Sequence, residues 1–395
     1  ACHPAARRRS AVKIVGIDLF PIRLTPIKRD YQALLGGGFP SLATVIVRVN
    51  TDQGVCGLGE ATAGTAYFNQ TPGALVDWLR GYAAALDGAN PFDLIGAHRM
   101  MDRVSGEFAP GCQPARAGID MALHDLAGKA RGCPVYELLG GTQRTSFDLL
   151  TSIYEPTVEG AVAASRDFVA AGYRGLKIKV GANARAHGIG VEAFRLEVDK
   201  LVAVLQAVPD TVYVDADANQ SWKSAKIAVR VVDQILAAGF HANLSLEQPI
   251  HHLDLDGHRY IRQALKIPLI LDESVLSPEA MLQIVRHDAA DRIVLKPNRV
   301  GDLLPARRIA HICEAASIGI SIDTTPLTRL GDTMNCHLAA TLRDPYPIDV
   351  EGHLWLEESP FIGGLEIQDG KARIGNAPGL GIELDEVALR KVLIS

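Results

Sequence analysis

The stretch GYRGLKIKVG, residues 172–181, places Lys177 and Lys179 on one side of a short run that otherwise has the composition of a buried strand. Eight runs of this kind follow one another from residue 146, and a longer stretch with helical periodicity separates each run from the next. The runs are FDLLTSI (147–153), GLKIKV (175–180), VYVDAD (212–217), ANLSLE (242–247), PLILDE (268–273), RIVLKP (292–297), GISID (319–323) and YPIDVE (346–351). This alternation predicts an α/β protein with a parallel sheet.

The polar residues that end these runs recur at a nearly constant spacing. They are Lys179, Asp217, Glu247, Asp272, Lys296, Asp323 and Glu351, and the intervals between them are 38, 30, 25, 24, 27 and 28 residues. Each interval fits one strand, one helix and two loops, and eight such units in about 250 residues or fewer make a (β/α)8-type barrel. A doubly wound open sheet is the alternative, but its glycine-rich dinucleotide turn is missing after the first strand. We therefore predict a barrel over residues 146–352.

Two flanking segments predict a second domain. Before the barrel, KIVGIDLF (13–20) and ATVIVRVN (43–50) alternate apolar and polar side chains as half-buried strands do. Stretches with helical periodicity follow at 73–86, 93–104 and 115–132. Strands followed by helices indicate an α+β capping domain over residues 11–140. After the barrel, residues 353–395 contain a predicted hairpin and a glycine-rich turn, and we expect them to return to the capping domain.

Composition argues against several classes of function. The chain has 395 residues, a formal net charge of −5 and no basic cluster beyond Arg7–Arg9, which argues against nucleic acid as a partner. Its six cysteines form no CxxC pair, so neither a zinc cluster nor a disulfide scaffold is predicted. No apolar run reaches the roughly 18 residues of a membrane span, and no long apolar core follows residues 1–10, which we expect to be disordered. We expect a cytoplasmic protein with a small-molecule partner.

Three carboxylates are predicted at the mouth of the barrel, because catalytic groups gather where its strands end. Asp217, Glu247 and Asp272 end three neighbouring strands, and no arginine stands next to them in the sequence. Three converging acids cannot all stay ionised without a cation. Since the ligands are oxygens, without Cys or His, we expect Mg²⁺, with Mn²⁺ as the second choice. The simpler alternative is that each carboxylate caps the next helix or meets a surface lysine.

The lysines are predicted to face one another across this mouth. Lys296 ends a strand four positions around the ring from the strand of Lys179. Lys177 and a bound metal ion would lower the pKa of Lys179 towards neutrality, so that two bases approach a substrate from opposite sides. A metal ion between opposed bases suits abstraction of the α-proton of a carboxylate substrate through an enediolate. The alternative is an amphipathic edge strand with solvated lysines.

Five motifs in chain order resemble those of the enolase superfamily, and more closely those of its muconate-lactonizing branch. They are Lys177-x-Lys179, VDADANQSW (214–222), LEQPI (246–250), LDES (271–274) and LKPNRVG (295–301). Two earlier segments, VCGLGEATAG (55–64) and ALHDLAGKARGCPVYELLGG (122–141), resemble the capping domain of that family. The resemblance therefore covers nearly the whole chain and implies the barrel and capping domain of the family.

The resemblance also implies roles for single residues. The implied roles are metal ligands for Asp217, Glu247 and Asp272, acid/base catalysts for Lys179 and Lys296, and an enolate-stabilising group for Lys177. Asn219 is a candidate substrate contact, and Asp215, deeper in the barrel, has no role that we can assign. At the seventh strand, GISIDTTPL offers Asp323 and no histidine, which disfavours the chemistry of acid-sugar dehydratases.

The end of the eighth strand carries information about the substrate. Asp349 and Glu351 are expected on one face, and they resemble the Asp-x-Asp arrangement that binds the α-ammonium group in dipeptide epimerases of this branch. Trp355 would add a cation–π contact, and Asp323 would add negative charge near the seventh strand. The alternative is that the two acids cap the final turn.

Two loops of the capping domain are predicted to cover the substrate. DYQALLGGGFP (30–40) has three consecutive glycines that allow a flexible lid, and TAYFN (65–69) supplies aromatic side chains, with Tyr67 among them. Neither loop carries a second strongly charged anchor. A small zwitterion therefore fits better than a long acidic dipeptide.

We predict a Mg²⁺-dependent racemase or epimerase that acts on an amino acid derivative (proline-type, N-substituted or dipeptide) by two-base 1,1-proton transfer. On the same machinery, dehydration of a 3-hydroxyproline-like amino acid is the first alternative and cycloisomerisation of a muconate is the second. From a different class, Lys296 could be the Schiff-base lysine of a barrel aldolase, which leaves the three carboxylates without a role. A non-catalytic ligand-binding barrel is the last alternative. We also expect a homo-oligomer, from dimer to octamer.

Overall fold

A computed structural model describes residues 12–27, 42–63, 70–106, 111–142, 144–181, 191–239, 243–325, 327–343 and 345–394. The predictions for residues 1–10, for the loop at 30–40 and for Tyr67 lie outside these ranges. Within them, no helix is both long and apolar enough to cross a membrane.

Three antiparallel strands and a layer of helices form the N-terminal part. The strands are β1 (Ile14–Leu24), β2 (Leu42–Thr51) and β3 (Cys56–Thr62), and the helices are α1 (Pro72–Leu86), α2 (Leu94–Val104), α3 (Gln113–Arg131) and α4 (Val135–Leu138). Because side chains alternate along a strand, Val45, Val47 and Val49 all face the helices, where they are buried in one apolar cluster with Leu75 of α1 and Ile119 of α3. α3 ends at Gly132, whose φ of 69° is the left-handed conformation typical of a helix end. The predicted α+β capping domain is confirmed.

β3 packs directly on α3 because two of its residues lack a side chain. A Cβ atom on Gly59 would lie 1.9 Å from the carbonyl oxygen of Gly118, and one on Gly57 would lie 2.0 Å from that of Ala122. Gly59→Ala is therefore expected to lower the free energy of unfolding by about 2–3 kcal/mol, because the helix must move away. Urea titration measures this loss, with Gly16→Ala as the control since the space around Gly16 is open. Equal losses in both variants would contradict this explanation.

Seven parallel strands form the wall of the barrel, and helices on the outside connect them. A short strand β4 (Ser146–Asp148) precedes β5 (Leu150–Ile153), β6 (Gly175–Lys179), β7 (Tyr213–Asp217), β8 (Leu244–Glu247), β9 (Leu269–Leu271), β10 (Arg292–Leu295) and β11 (Gly319–Ile322). The helices are α5 (Val158–Ala170), α6 (Val191–Ala207), α7 (Ala225–Ala238), α8 (Leu255–Ala264), α9 (Pro278–His287), α10 (Pro297–Val300), α11 (Leu303–Ala316) and α12 (Arg329–Ala339). The strands from β5 to β11 pair in chain order.

The eighth predicted strand closes the ring between β11 and β5. The amide of Ile348 donates to the carbonyl oxygen of Asp148 at 3.0 Å, and the amide of Asp349 donates to that of Ile322 at 3.0 Å. Parallel bridges join these two residues to both edges of the sheet. The (β/α)8-type barrel predicted from the sequence is therefore confirmed, with its last strand reduced to a short bridging segment.

The run FDLLTSI forms two strands instead of the single predicted one. β5 pairs with β6 in the barrel, whereas β4 pairs with the C-terminal tail. The tail contains a 3₁₀ helix (Gly352–Trp355), β12 (Phe361–Gly363), β13 (Glu366–Gln368), β14 (Lys371–Arg373), β15 (Ile382–Leu384) and α13 (Glu386–Val392). The predicted hairpin over EIQDGKARIG is confirmed as β13 and β14, and Asp369 and Gly370 form its turn with positive φ.

The end of the tail returns to the capping domain. The amide of Ile394 donates to the carbonyl oxygen of Pro21 at 2.9 Å, and Glu386 at the start of α13 forms an ion pair of 2.7 Å with Arg48 of β2. A capping domain built from both ends of the chain is therefore confirmed. The domain boundaries drawn from the sequence stay a prediction.

Alternation along the barrel strands separates the polar interior from the apolar core. In β6, Leu176 and Ile178 are buried in an apolar cluster with the surrounding helices, whereas Lys177 reaches carboxylates inside the barrel. In β7, Val214 lies in the same outer cluster, whereas Asp215 points to the interior. The alternation with a period of two, which marks these strands in the sequence, thus also directs their charged side chains into the interior of the barrel.

Glu60, the acid of VCGLGE, fastens the capping domain to α12. Its carboxylate is fully buried and accepts hydrogen bonds from the amide of Thr328 (3.1 and 3.2 Å), the Thr328 hydroxyl (2.6 Å) and the amide of Gly331 (3.1 Å). Burial raises the pKa of Glu60 to about 7, although the bonds from Thr328 and Gly331 lower it. The contact between the capping domain and α12 therefore depends on a group that titrates near neutral pH.

Stability is expected to depend on the ionisation of Glu60. The usual pKa of this side chain is 4.5, so between about pH 4.5 and pH 7 the folded protein keeps a proton that the unfolded chain has lost. The contribution of Glu60 to the free energy of unfolding therefore falls as pH rises through this window, by on the order of 3 kcal/mol. Urea titrations of wild type and Glu60→Gln at pH 5 and pH 8 measure it. A difference between the two proteins that stays constant would mean that Glu60 is ionised throughout.

Candidate active site

The C-terminal ends of the barrel strands bring the predicted polar residues to one mouth. Lys179, Asp217 and Glu247 are register partners on β6, β7 and β8, so they lie side by side. The residues directly after β9, β10 and β11 are Asp272, Lys296 and Asp323. All the carboxylates of this group are buried. The regular spacing in the sequence thus corresponds to one cluster of buried charges.

The two lysines of β6 reach different carboxylates. Lys177, which is 2% exposed, donates to Glu247 Oε1 at 3.1 Å and to Asp323 Oδ2 at 2.7 Å. Lys179 Nζ lies 2.5 Å from Asp217 Oδ2. Burial lowers the pKa of Lys177, but Asp323 and Glu247 raise it further, so that the pKa stays well above its usual value. Lys177 is therefore a fixed positive charge near the centre of the mouth.

Lys296 occupies the opposite side of the mouth. Its Nζ lies 2.8 Å from Asp272 Oδ2 and 3.4 Å from Asp323 Oδ2. The sheet places β10 four strands from β6, with β8 and Glu247 midway between them. Burial lowers the pKa of Lys296, but Asp272 and Asp323 outweigh it and the pKa is raised. Lys179 and Lys296 thus flank the carboxylates from opposite sides, as predicted from their positions in the ring.

Three of these carboxylates approach closely enough to share one cation. Oxygens of Glu247, Asp272 and Asp323 lie within 4.8 Å of one another. Glu247 is fully buried, its Oε1 and Oε2 lie 3.1 and 3.0 Å from Lys177 Nζ, and burial raises the pKa of Glu247 well above its usual value. A hard divalent cation would compensate this cost, so the oxygen donors fit Mg²⁺. Asp217, the third ligand predicted from the sequence, adjoins Glu247 in register.

The backbone after Asp217 has an unusual conformation. Asn219 has a φ of 41°, in the left-handed region, and its amide donates to Asp217 Oδ1 at 2.8 Å. The Asn219 side chain accepts from Lys179 at 3.3 Å and donates to Glu273 at 3.3 Å. Strained conformations of this kind cluster at functional sites. The role of Asn219 in substrate binding stays a prediction, and these contacts place it beside the proposed base.

Asp215 lies one layer below this mouth. Its Oδ1 accepts a hydrogen bond of 3.1 Å from Ser245, whose hydroxyl also lies 2.8 Å from the Tyr213 hydroxyl. Burial raises the pKa of Asp215. These contacts hold Asp215 in a hydrogen-bonded group inside the barrel.

The two acids of the eighth strand have different surroundings. Asp349 accepts a hydrogen bond of 3.3 Å from Ser152 of β5 inside the barrel. Glu351 has φ −110° and ψ 11°, and its two oxygens accept hydrogen bonds from Thr151 and, at 2.6 Å, from the Tyr173 hydroxyl. This differs from the predicted shared face, because the extended backbone ends before Glu351. The assignment of Glu351 to the substrate stays a prediction, and its contacts favour a role in holding the end of the strand.

Trp355 ends the 3₁₀ helix that follows the eighth strand. Its carbonyl oxygen accepts a hydrogen bond of 2.9 Å from the amide of Ile27, which belongs to the segment after β1. The residue thus lies where the barrel meets the capping domain. A cation–π contact with the substrate stays a prediction.

Three contributors to the site were not predicted from the sequence. Arg299 donates to Asp272 Oδ1 at 2.7 Å and to its carbonyl oxygen at 2.6 Å, and the signal for it was its place one helical turn after Lys296. The ring of Tyr154, directly after β5, lies 5.6 Å from Lys179 Nζ. Burial, together with the neighbouring carboxylates, raises the pKa of Glu273 to about 7. For Tyr154 and Glu273, the signal in the sequence was an aromatic or an acidic residue at the end of a predicted strand.

Two family descriptions match most of the chain. The family described as mandelate racemase / muconate lactonizing enzyme, N-terminal domain, matches residues 38–140. The family described as enolase C-terminal domain-like matches residues 160–388. The two matches follow the order of the capping domain and the barrel in the structure.

Individual relatives are similar over nearly their whole length. The N-succinyl-L-Arg/Lys racemase of Bacillus cereus is 29% identical over 387 residues, which are 97% of this chain and 98% of the relative, and its crystal structure gives a TM-score of 0.86. The hydrophobic dipeptide epimerase of Enterococcus faecalis is 32% identical over 365 residues, 91% of this chain and 98% of the relative. The muconate lactonizing enzyme structure from Pseudomonas putida gives a TM-score of 0.86 at 28% identity, covering 97% of this chain and 100% of that one. The chain therefore belongs to the enolase superfamily, as a member of its mandelate racemase and muconate lactonizing enzyme family.

Proposed function

We propose that this protein is a Mg²⁺-dependent racemase or epimerase that inverts the α-carbon of an amino acid derivative by two-base 1,1-proton transfer. The observation that carries the proposal is the pair Lys179 and Lys296, which approach the carboxylate cluster from opposite sides of the barrel. A carbon held between two such groups loses its proton to one and gains a proton from the other. Inversion then follows from the geometry.

In each direction of the reaction, one lysine acts as the base and the other as the acid. The neutral Nζ of one lysine takes the α-proton, and the ammonium group of the other gives a proton to the opposite face of the same carbon. The fixed charge of Lys177 lies between the two and favours the negative charge that develops on the substrate carboxyl group. Because Lys179 and Lys296 exchange roles with the direction of the reaction, each enantiomer has its own base.

Asp217, Glu247 and Asp272 are the residues that would hold Mg²⁺. Members of the enolase superfamily bind Mg²⁺, and the buried acidic cluster of this chain is consistent with such a site. When bound, the ion supplies positive charge that makes the α-proton of a carboxylate more acidic. Arg299 orients Asp272 by holding its Oδ1, so that Oδ2 faces the centre of the cluster where Lys296 also meets it.

An N-substituted amino acid or a dipeptide fits this site best. Asp349, which is 5% exposed on the inner side of the barrel, offers a carboxylate to an ammonium group or an N–H of the substrate. Two relatives are named for an N-succinyl amino acid and for hydrophobic dipeptides, and both names describe an amino acid unit with a substituted amino or carboxyl end. This agreement supports an amino acid derivative as the substrate class.

Cycloisomerisation of a muconate is the second candidate. It is favoured by the Pseudomonas putida structure, which matches the fold as well as the racemase structure does. The buried acid Asp349 counts against it, since a muconate has neither an ammonium group nor an N–H to meet this carboxylate. Dehydration would use the same lysines, with one taking the α-proton and the other assisting the leaving hydroxyl.

Proton exchange in D₂O tests the proposal. The protein is incubated with Mg²⁺ and a panel of N-succinyl amino acids, hydrophobic dipeptides, 3-hydroxyproline and cis,cis-muconate, and NMR and polarimetry follow the α-proton and the optical rotation. Loss of the α-proton signal is the expected result, together with loss of rotation for an N-succinyl amino acid or formation of the diastereomer for a dipeptide. A new unsaturated or lactone product would replace the proposal by dehydration or cycloisomerisation. Exchange that persists in EDTA, or a borohydride-trapped adduct on Lys296, would overturn the metal-assisted mechanism.

A further inference from the structure

Lys200 of α6 is a buried lysine outside the barrel that contacts the proposed base. Its Nζ donates to the carbonyl oxygen of Lys179 at 2.6 Å and to that of Glu155 at 3.4 Å. We propose that Lys200 is a positioning residue that fixes Lys179, and not Lys296, in its catalytic geometry. This inference rests on the proposed function, because it assigns the two lysines to opposite faces of one substrate carbon.

The surroundings of Lys200 argue that its ammonium group has a purpose beyond filling space. The side chain is 4% exposed and stands next to Leu201 and one turn before Val204, both in the apolar cluster beneath α6. Burial lowers the pKa of Lys200, although Glu197 on the same helix raises it, which is the sign of a costly position. An apolar side chain would fill the same volume without that cost. The bonds to two main-chain oxygens are the compensation that the structure shows.

The two bonds of Lys200 join the ends of two neighbouring strands. Lys179 is the last residue of β6, and Glu155 follows β5 by two residues. Tyr154, which precedes Glu155, places its ring 5.6 Å from the ammonium group of Lys179. One buried ammonium group therefore fixes both the backbone of the proposed base and the segment that carries the ring beside it.

Neighbouring contacts hold the next residue of the same strand end. The amide of Val180 donates to the carbonyl oxygen of Asp217 at 2.9 Å, and the Trp222 indole lies within hydrogen-bonding distance of the carbonyl oxygen of Val180 at 3.4 Å. The same indole donates to Glu197 at 2.8 Å. Glu197 and Lys200, one turn apart on α6, thus secure consecutive residues at the end of β6. Lys296 is held on the far side of the barrel by Asp272 and Asp323.

Lys200→Met tests this role because methionine keeps the length and loses the donors. Exchange of the α-proton is measured in D₂O from each pure enantiomer of an N-succinyl amino acid that the wild type accepts. Lys179→Ala identifies the enantiomer that meets Lys179, since its exchange is lost in that variant. In Lys200→Met this exchange is expected to fall about 10- to 100-fold, whereas that of the other enantiomer stays within about twofold. Racemisation falls equally in both directions, because both directions share one path.

Two further variants complete the test. Lys200→Arg keeps the charge and the donors and is expected to restore the wild-type ratio of the two exchange rates. Arg195→Met, on an exposed part of the same helix, is the control and is expected to leave both rates unchanged. Equal losses for both enantiomers, or no loss for either, would overturn the positioning role and leave Lys200 as a stabilising residue of α6.

A measurement without substrate separates this inference from the proposed function. If the wild type exchanges the α-proton of no compound in the panel, the proposed function fails, and hydrogen exchange of backbone amides decides the role of Lys200. Lys200→Met is expected to speed exchange of the Val180 amide at least about tenfold relative to that of Ile178. Equal protection of both amides in wild type and variant would overturn the inference.

Discussion

Replacing Lys179 by alanine is expected to lower the rate of interconversion of the two enantiomers about 10²- to 10⁴-fold, while α-proton exchange of one enantiomer continues. Interconversion needs both lysines, because the proton leaves one face of the carbon and another arrives on the opposite face. Exchange needs a single lysine. Lys296 can remove the α-proton of the enantiomer that it faces, trade it for deuterium from solvent and return it to the same face.

Lys296→Ala is the matched variant and is expected to give the mirror image. The enantiomer that exchanges in Lys179→Ala should be inert in Lys296→Ala, and the other enantiomer should show the reverse, because the two strands lie on opposite sides of the barrel. Proton NMR in D₂O from each pure enantiomer, followed by chiral analysis, gives both rates. Mn²⁺ titration of each variant checks that the metal site is intact. Loss of exchange for both enantiomers in one variant would assign that lysine a role other than base.

The positions of these lysines could be predicted because strand geometry translates sequence spacing into direction. Alternation with a period of two sends Lys177 and Lys179 to the same side of β6, and parallel strands end at the same level. A charged residue that ends each apolar run therefore points to the same mouth. The run VYVDAD shows this most clearly, since Asp217 and Glu247 are register partners in the structure.

Some residues of the site were not predicted because their contacts leave no periodic pattern in the sequence. Lys200 lies on an outer helix and acts on the main chain of Lys179, and a single lysine in an amphipathic helix gives no sequence signal for such a contact. Arg299 belongs to the one-turn helix α10, whose existence decides whether it can meet Asp272. For Glu351, the sequence does have the period of a strand, yet the predicted shared face with Asp349 differs from the structure. The pattern continues the strand through Glu351, whereas the backbone turns into a 3₁₀ helix there.

The ligands of the metal ion can be tested directly, because the geometry offers two sets of three carboxylates. One is the proposed set, in which Asp217 adjoins Glu247 in register, and the other has Asp323 in place of Asp217 and is the set whose oxygens lie within 4.8 Å of one another. In the proposed set each carboxylate accepts one lysine ammonium group, namely Lys179 on Asp217 at 2.5 Å, Lys177 on Glu247 at 3.0 Å and Lys296 on Asp272 at 2.8 Å. A cation held by this set would compete with these groups for the same oxygens and release both proposed bases. A cation held by Asp323 instead would leave Lys179 paired with Asp217.

Asp217→Asn is therefore expected to weaken Mn²⁺ binding about 100-fold or more and to abolish racemisation, because a neutral amide is a poorer ligand for a hard cation than a carboxylate. Asp323→Asn is expected to leave Mn²⁺ affinity nearly unchanged and to slow racemisation, since Asp323 Oδ2 is the shared acceptor of Lys177 and Lys296. Electron paramagnetic resonance of Mn²⁺ gives the affinities, with the exposed Asp199→Asn as the control. The reverse ranking would make Asp323 a ligand and leave Asp217 as the acceptor that holds Lys179. Lys179 would then have to be freed by the substrate and not by the metal ion, because its acceptor Asp217 would not be a ligand.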